Sequence, residues 1–306
     1  MKSMHVLLDQ AIDYAGLFPP AGLDMRSAVG NFATYMAGEE SWALGRFIVP
    51  VSRLDEFALA AAPLLSTTSA ARTWCLAALS GADLQVDLDV IQKFNSRYAA
   101  SGRSKVVIDT LERKAGSLDA VRDTMHRTPA HLQAYLELPV DRDPAPFIRC
   151  LSGSPVRAKV RTGGVSPEAF PRPIDLLRFM EAAVQAKVPF KATAGLHHPL
   201  RADYRLTYAP DSGQGRMFGF LNVFLTAALL HSGIEGSELL ELLEEESPES
   251  FKIDDGGIGW RNLRLGLAQL QQARREAIIA FGSCSFTEPI GELQALHLLE
   301  PRVPQA

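Results

Sequence analysis

Eight short runs of β-type residues, set apart by stretches of helical periodicity, constrain this chain more than any other feature. The runs are AIDYAGLF (11–18), GRFIVPV (45–51), TWCLAAL (73–79), KVVIDTL (105–111), LQAYLEL (132–138), VRAKVRT (156–162), PFKATA (189–194) and AIIAFGSCS (277–285). Helical stretches fill the intervals, among them Leu23 to Met36, Asp87 to Ala99, Ser117 to Met125, Pro173 to Ala186 and Asn262 to Glu276. Capping-type residues Asp24, Ser117 and Ser166 precede several of them. Strands that alternate with helices build parallel sheets, and eight is the number that closes a barrel. The expected fold is an α/β (β/α)8 TIM barrel.

The 306 residues contain no low-complexity linker and no evident repeat, so one domain, 1–306, is expected. The segment 196–276, between the seventh and last strands, is too long for a simple helical crossover and is expected to lie over the barrel mouth. Its strand-like stretch FKIDDGGIGW is either an extra hairpin on the rim or the true eighth strand. The second option would demote 11–18 to an N-terminal plug.

With 47% hydrophobic residues, 22% charged residues and a formal net charge of -4, the composition is that of a soluble globular protein. It suggests neither a nucleic acid nor an anionic membrane as partner. Three cysteines without CxxC spacing indicate no disulfide framework and no zinc site, which fits a reducing, cytoplasmic setting. The N-terminus lacks the apolar core of a signal peptide, since Asp9 and Asp13 interrupt it. The most apolar segment, Phe218 to Leu230, carries Asn222 and Thr226 and falls short of the roughly 20 residues that span a bilayer. It reads as a helix enclosed in the core or as a subunit contact, which leaves a homo-oligomer open.

Side chains two apart on a strand share a face, and a barrel strand buries its apolar outer face under helices. In 132–138 the apolar set is Leu132, Ala134, Leu136 and Leu138; in 156–162 it is Val156, Ala158 and Val160. Val106 and Ile108, and likewise Phe190, Ala192 and Ala194, complete the outward set. The complementary set places Asp109, Glu137, Arg157, Lys159, Arg161 and Lys191 in the lumen.

Two lysines within apolar strands that end at glycine are costly unless they serve chemistry. A lysine that attacks a carbonyl must be neutral part of the time, which requires desolvation or neighbouring cations. If 156–162 and 189–194 are adjacent, Lys191 lies across from Lys159, with Arg161 on the same face. Asp109 and Glu137 would then move protons through the carbinolamine and enamine. The competing account is an internal ion-pair network without chemistry, although such networks stabilise poorly compared with apolar packing.

The order IDYAGLFPP, VVIDTL, AKVRTG, FKATAG and FGSCSF resembles class I aldolases of the deoxyribose-phosphate aldolase type. Those barrels carry an Ile-Asp on the first strand, an Asp on a middle strand, a Lys-x-x-Thr-Gly strand, a Phe-Lys strand that runs into glycine, and a Phe-Gly turn rich in serine. The resemblance spans about 11–290 as scattered short motifs. It implies Lys159 as the Schiff-base lysine, Lys191 as the group that lowers its pKa, and Asp109 as a proton-relay acid. It further implies that Asp13 orients substrate, that Thr162, Gly163 and Gly195 belong to the substrate site, and that Gly282, Ser283 and Ser285 contact an anion. It brings no cofactor and no metal.

The chain departs from that pattern at three places. Arg161 stands where the family has a small residue, which favours a carboxylate or other anion as substrate. LHHPLR follows the second lysine in place of a glycine-rich turn, and 196–276 is enlarged. His197 and His198 follow a strand at the functional end of a barrel, so they are candidates for substrate contact or proton transfer. Either would bind a metal only with help from Asp254, Asp255 or Glu137, because adjacent side chains diverge on a strand. Asp254-Asp255-Gly256-Gly257 reads as a tight turn, Cys284 as a buried small residue, the acidic run 238–246 as a solvated helix face, and Pro19-Pro20 as a fixed exit from the first strand.

The function expected from the sequence is a metal-independent class I lyase that makes or breaks a C–C bond of a small anionic carbonyl substrate through Lys159. The alternatives are a metal-dependent barrel lyase or hydrolase built on His197 and His198, and a non-catalytic barrel that binds an anionic metabolite.

Overall fold

The computed structural model describes residues 1–67, 72–100 and 106–300. Lys105, the first residue of the fourth run, lies outside the described residues. The chain runs α1 (Lys2–Leu8), β1 (Ile12–Tyr14), α2 (Met25–Ala37), β2 (Leu44–Pro50), α3 (Leu54–Thr67), β3 (Trp74–Leu79), α4 (Leu84–Ala100) and β4 (Val106–Lys114). It continues with α5 (Leu118–Arg127), β5 (Gln133–Glu137), α6 (Ala145–Leu151), β6 (Arg157–Arg161), α7 (Pro173–Gln185) and β7 (Phe190–Thr193). Then come β8 (Ala202–Arg205), β9 (Gln214–Met217), α8 (Phe220–His231), α9 (Glu238–Leu243), β10 (Phe251–Asp254), β11 (Gly257–Trp260) and β12 (Leu263–Gly266). The last elements are α10 (Leu267–Glu276), β13 (Ile278–Ser283) and α11 (Thr287–Ala295).

Strands β1 to β7 and β13 close an all-parallel barrel in the order β1-β13-β7-β6-β5-β4-β3-β2. All eight runs of the sequence are barrel strands, so 11–18 is no plug. FKIDDGGIGW forms the β10–β11 hairpin, which β12 extends to a three-stranded antiparallel sheet. The helix expected over Asn262 to Glu276 therefore begins only at Leu267, because Leu263–Gly266 is used as a sheet edge. No helix among the described residues is long and apolar enough to cross a membrane.

Local chemistry sets several boundaries. The Asp24 carboxylate accepts from the Ser27 amide at 2.9 Å and caps α2, and the Ser117 hydroxyl accepts from the Ala120 amide at 3.2 Å and caps α5. Ser166 precedes only a 3-10 turn at Pro167–Ala169 and makes no side-chain cap there, while α7 starts after Arg172. Helix α8 is buried on all sides up to Leu230, with Phe220 stacked on Phe281 of β13 at 5.0 Å and with α7, α9 and α10 around it. Its all-round apolar character is thus satisfied within the chain.

The segment 196–276 divides. Its first part, with the β8–β9 hairpin, stays on the side of the strand C-termini, where the Tyr208 hydroxyl is 3.5 Å from the Cys284 sulfur. The later part flanks the barrel: α9 packs on α7 and α8, and the β10–β12 sheet packs on α1, with the Lys2 amide donating to Asp255 at 2.8 Å. The stretch expected to cover the mouth is therefore half a lateral brace.

Strand β4 holds one irregularity that matters for the site. Its register against β3 pairs Leu76 with Ile108 and Ala77 with Thr110, which leaves Asp109 as an extra residue in a β-bulge. A bulge shifts the side-chain alternation by one. Asp109 faces the lumen before it, and Thr110, Glu112 and Lys114 follow on the same inner side after it.

Candidate active site at the barrel mouth

The lumen is organised in levels fixed by strand register. Lys159 is the partner of Glu137 on β5 and of Lys191 on β7, and Glu112 is level with Tyr135. The two lysines are thus neighbours, as the spacing suggested. Between their ammonium groups sits Glu112, fully buried, which accepts from Lys159 at 2.7 Å through one oxygen and from Lys191 through the other.

Each ammonium has a second carboxylate. Lys159 lies 3.1 Å from Glu137, and Lys191 donates to Asp13 at 2.6 Å. Arg161 then meets Glu137 at 3.2 Å from the rim, where half of its side chain is exposed. Three carboxylates thereby face two ammoniums and one guanidinium, which is the balance a desolvated cluster requires.

Burial alone would push Glu112 upward, but the two ammoniums outweigh it and hold the carboxyl down at about 2. Glu137 is displaced in the same sense: burial opposes the shift, and Lys159 and Arg161 impose it. For Lys191 burial favours the neutral amine, yet Asp13 and Glu112 prevail and raise it above the ordinary lysine range. Its ring neighbour is Tyr135, 5.1 Å from the ammonium to the centroid.

A cavity of about 440 Å³ opens above this cluster at the C-terminal ends of the strands, the functional face of such barrels. Glu112, Glu137, Lys159 and Arg161 line it, together with Lys114. Its walls are largely apolar, with Phe18, Pro19, Pro20, Ile48, Leu79 and Val165. Lys191 does not line it and is 1% exposed, against 4% for Lys159. Of the two strand lysines, Lys159 is the one presented to a ligand.

The other expected residues separate into those at the cavity and those behind it. Gly195, His197 and Gly282 line the cavity. His197 is nearly buried, with Nδ1 3.0 Å from the Ser283 hydroxyl, and burial first, then neighbouring His198, hold it neutral with a pKa of about 4. Asp13 does not face a substrate: it is 1% exposed and supports Lys191 and the Arg46 amide. Thr162 donates its hydroxyl to the Ala194 carbonyl at 2.6 Å and ties β6 to β7.

Gly163 and Gly195 make room for a ring. A Cβ on Gly163 would stand 2.3 Å from Phe170, and one on Gly195, whose φ is +66°, would stand 2.8 Å from the same ring. Ser283 is buried and engaged with His197, and Ser285 accepts from the Glu288 amide at 3.1 Å, so both hydroxyls are already used within the fold. His198 leaves the cavity, stacks on Tyr204 at 3.5 Å, and meets Glu292 at 2.7 Å. Cys284 lines the cavity with its thiol pushed up by burial, the state of an inert sulfur.

Asp109 and Arg157 sit lower in the barrel. Arg46 grips Asp109 with two hydrogen bonds of 2.7 and 2.8 Å, and Arg157 donates to the Tyr135 hydroxyl at 2.9 Å. Neither lines the cavity. The carboxylate that touches both lysines is Glu112, three residues beyond Asp109, which the alternation argument missed. The extra residue of the bulge is the reason: simple counting from Asp109 sends position 112 outward. Lys114 and Arg46 were missed likewise, and the polar stretch LERK that continues run 105–111 was the available signal.

The fold and the lumen together define a TIM barrel with a charge-compensated lysine pair beneath an apolar-walled cavity. Neither a scan against protein-family models nor a search of the curated proteins gave a match.

Proposed function

We propose that the protein is a class I, Schiff-base lyase of the aldolase type, with Lys159 as the amine and a small anionic carbonyl compound as substrate. The observation that carries the reading is the environment of Lys159: its Nζ touches Glu112 and Glu137 and borders the cavity, while Lys191 is sealed behind Glu112. In the resting cluster the Lys159 Nζ lies between the carboxylates of Glu112 and Glu137. Glu137, at the cavity edge, takes its proton. The free amine then attacks the carbonyl carbon, the C–N bond forms, and the carbonyl π pair goes to oxygen, which takes one of the two protons on the new ammonium nitrogen to give the neutral carbinolamine.

Return of the proton from Glu137 to that hydroxyl lets water leave and yields an iminium ion. This cation restores the charge that Lys159 carried, so the carboxylates stabilise it without rearrangement. The scissile C–C bond then breaks, its electron pair enters the enamine, and the β-hydroxyl proton passes to a carboxylate. Protonation of the enamine carbon and addition of water release Lys159. Lys191, expected to lower the pKa of Lys159, is separated from it by Glu112 and so keeps that carboxylate ionised and in position, while Arg161 and Lys114 at the rim favour an anionic tail.

The metal-dependent alternative has less support. His197 and His198 point to different partners, and Asp254 and Asp255 lie beside α1, on the flank of the barrel. The decisive experiment is borohydride reduction with a panel of small aldehydes, ketones and 2-oxo acids, followed by peptide mapping. A stable adduct on Lys159, absent in a folded Lys159→Met variant, is the expected result. An adduct on Lys191 would transfer the role. Absence of any adduct, with ligand affinity preserved in Lys159→Arg, would leave a binding barrel in place of an enzyme.

A further inference from the structure

Behind the cavity wall, three side chains that take no part in the lysine cluster converge. His198 comes from the loop after β7, and Glu288 and Glu292 come from one face of α11, one helical turn apart. The Nδ1 of His198 is 2.7 Å from Glu292 Oε1, and donor atoms of all three residues lie within 4.8 Å of one another. The imidazole is held in plane by stacking on Tyr204, with an interplanar angle of 9°, and Glu288 is oriented by the Tyr208 hydroxyl, which donates to it at 3.1 Å. Oriented ligands with outer hydrogen-bond partners are what a metal site needs beyond its donors.

We propose that His198, Glu288 and Glu292 bind one divalent transition-metal ion of the zinc type. One imidazole nitrogen and two carboxylate oxygens suit such an ion, whereas calcium and magnesium take oxygen donors alone. Bonds of about 2.0–2.2 Å bring ligand atoms to about 3–3.5 Å from one another. Rotation of the partly exposed Glu288 and Glu292 side chains would bring the donor atoms to that spacing. Water completes the coordination.

The ion would staple the loop that carries His197 to α11, and through Tyr208 to the β8–β9 hairpin. It would thus fix one wall of the cavity from outside, without contact with Lys159. The inference is independent of the Schiff-base reading, because trapping on Lys159 in metal-free buffer answers that question separately.

The test titrates the metal-stripped full chain with Zn²⁺ alone by calorimetry, with Mg²⁺ as comparison. One saturable Zn²⁺ per chain and a rise in Tm are expected, with no saturable Mg²⁺ binding. Glu288→Gln combined with Glu292→Gln, checked for fold by circular dichroism, should weaken Zn²⁺ binding by at least about tenfold and remove the rise in Tm. The unmutated chain loaded with Co²⁺ should show the visible bands of a nitrogen and oxygen site. No saturable Zn²⁺ binding, an unchanged affinity in the double variant, or a thiolate-to-cobalt band pointing to Cys284 would each overturn the assignment.

Discussion

Glu112 is where a single side chain decides most, since each of its oxygens serves a different ammonium. Replacement of a buried ion-pair partner leaves an uncompensated charge and costs about 3–5 kcal/mol. Glu112→Gln should destabilise the protein by that order in denaturant unfolding at neutral pH. The acid limb supplies an independent check. The folded carboxyl titrates near 2, below its ordinary value of 4.5, so its stabilisation is complete above pH 4.5 and fades as the pH falls toward 2. Glu137 adds a loss of the same sign, because its carboxyl is also held below the ordinary range. Stability measured from pH 5 to 2 should therefore fall less steeply in Glu112→Gln than in the unmutated chain. Equal slopes would mean that the lysines do not hold Glu112 ionised.

Among the elements, β1 and β2 meet closely at Gly45, where a Cβ would stand 2.4 Å from the Asp13 carboxylate and 3.0 Å from the Gln10 carbonyl. Gly45→Ala should cost about 1–3 kcal/mol by overpacking, and it should also loosen Lys191, whose partner Asp13 must move. Thermal melts together with lysine reactivity toward an acylating reagent would register both effects; an unchanged Tm would refute the tight contact. The strands themselves were legible because short β-rich runs are set apart by helical stretches, and the inward faces of β5, β6 and β7 follow from the alternation within them alone. What escaped was Glu112, since nothing in VVIDTLERK announces the bulge that makes Asp109 and Glu112 share a side. Asn262 to Glu276 was misread at its start for a related reason: LRLG has no strand character apart from the edge of β11 that it completes. The assignment of Ser283 and Ser285 to a site rested on motif likeness, which carries residue type but not which partner claims the side chain; for Asp109 alternation gave the inward face but not its pairing with Arg46.

In the molecule as a whole, the enlarged segment contributes stability more than covering, and α8 is its centre. Leu225 is fully buried, so Leu225→Ala should cost about 2–5 kcal/mol, with a Tm decrement that does not depend on protein concentration. A decrement that shrinks as the protein is concentrated would instead assign this helix to a subunit contact. The β10–β12 sheet clasps α1, the helix that leads into β1, and β1 closes the ring at its seam with β13, the last strand in the chain. Topology gives that seam a consequence in time. During synthesis β2 is available to β1 early, but its second neighbour, β13, is complete only at residue 283, so a sheet without that strand has open edges at β1 and β7. The Asp13–Lys191 ion pair spans that seam, because Asp13 lies on β1 and Lys191 on β7, the two strands that flank β13. Closing the ring and seating the Lys191 ammonium on its second carboxylate thus depend on the same strand.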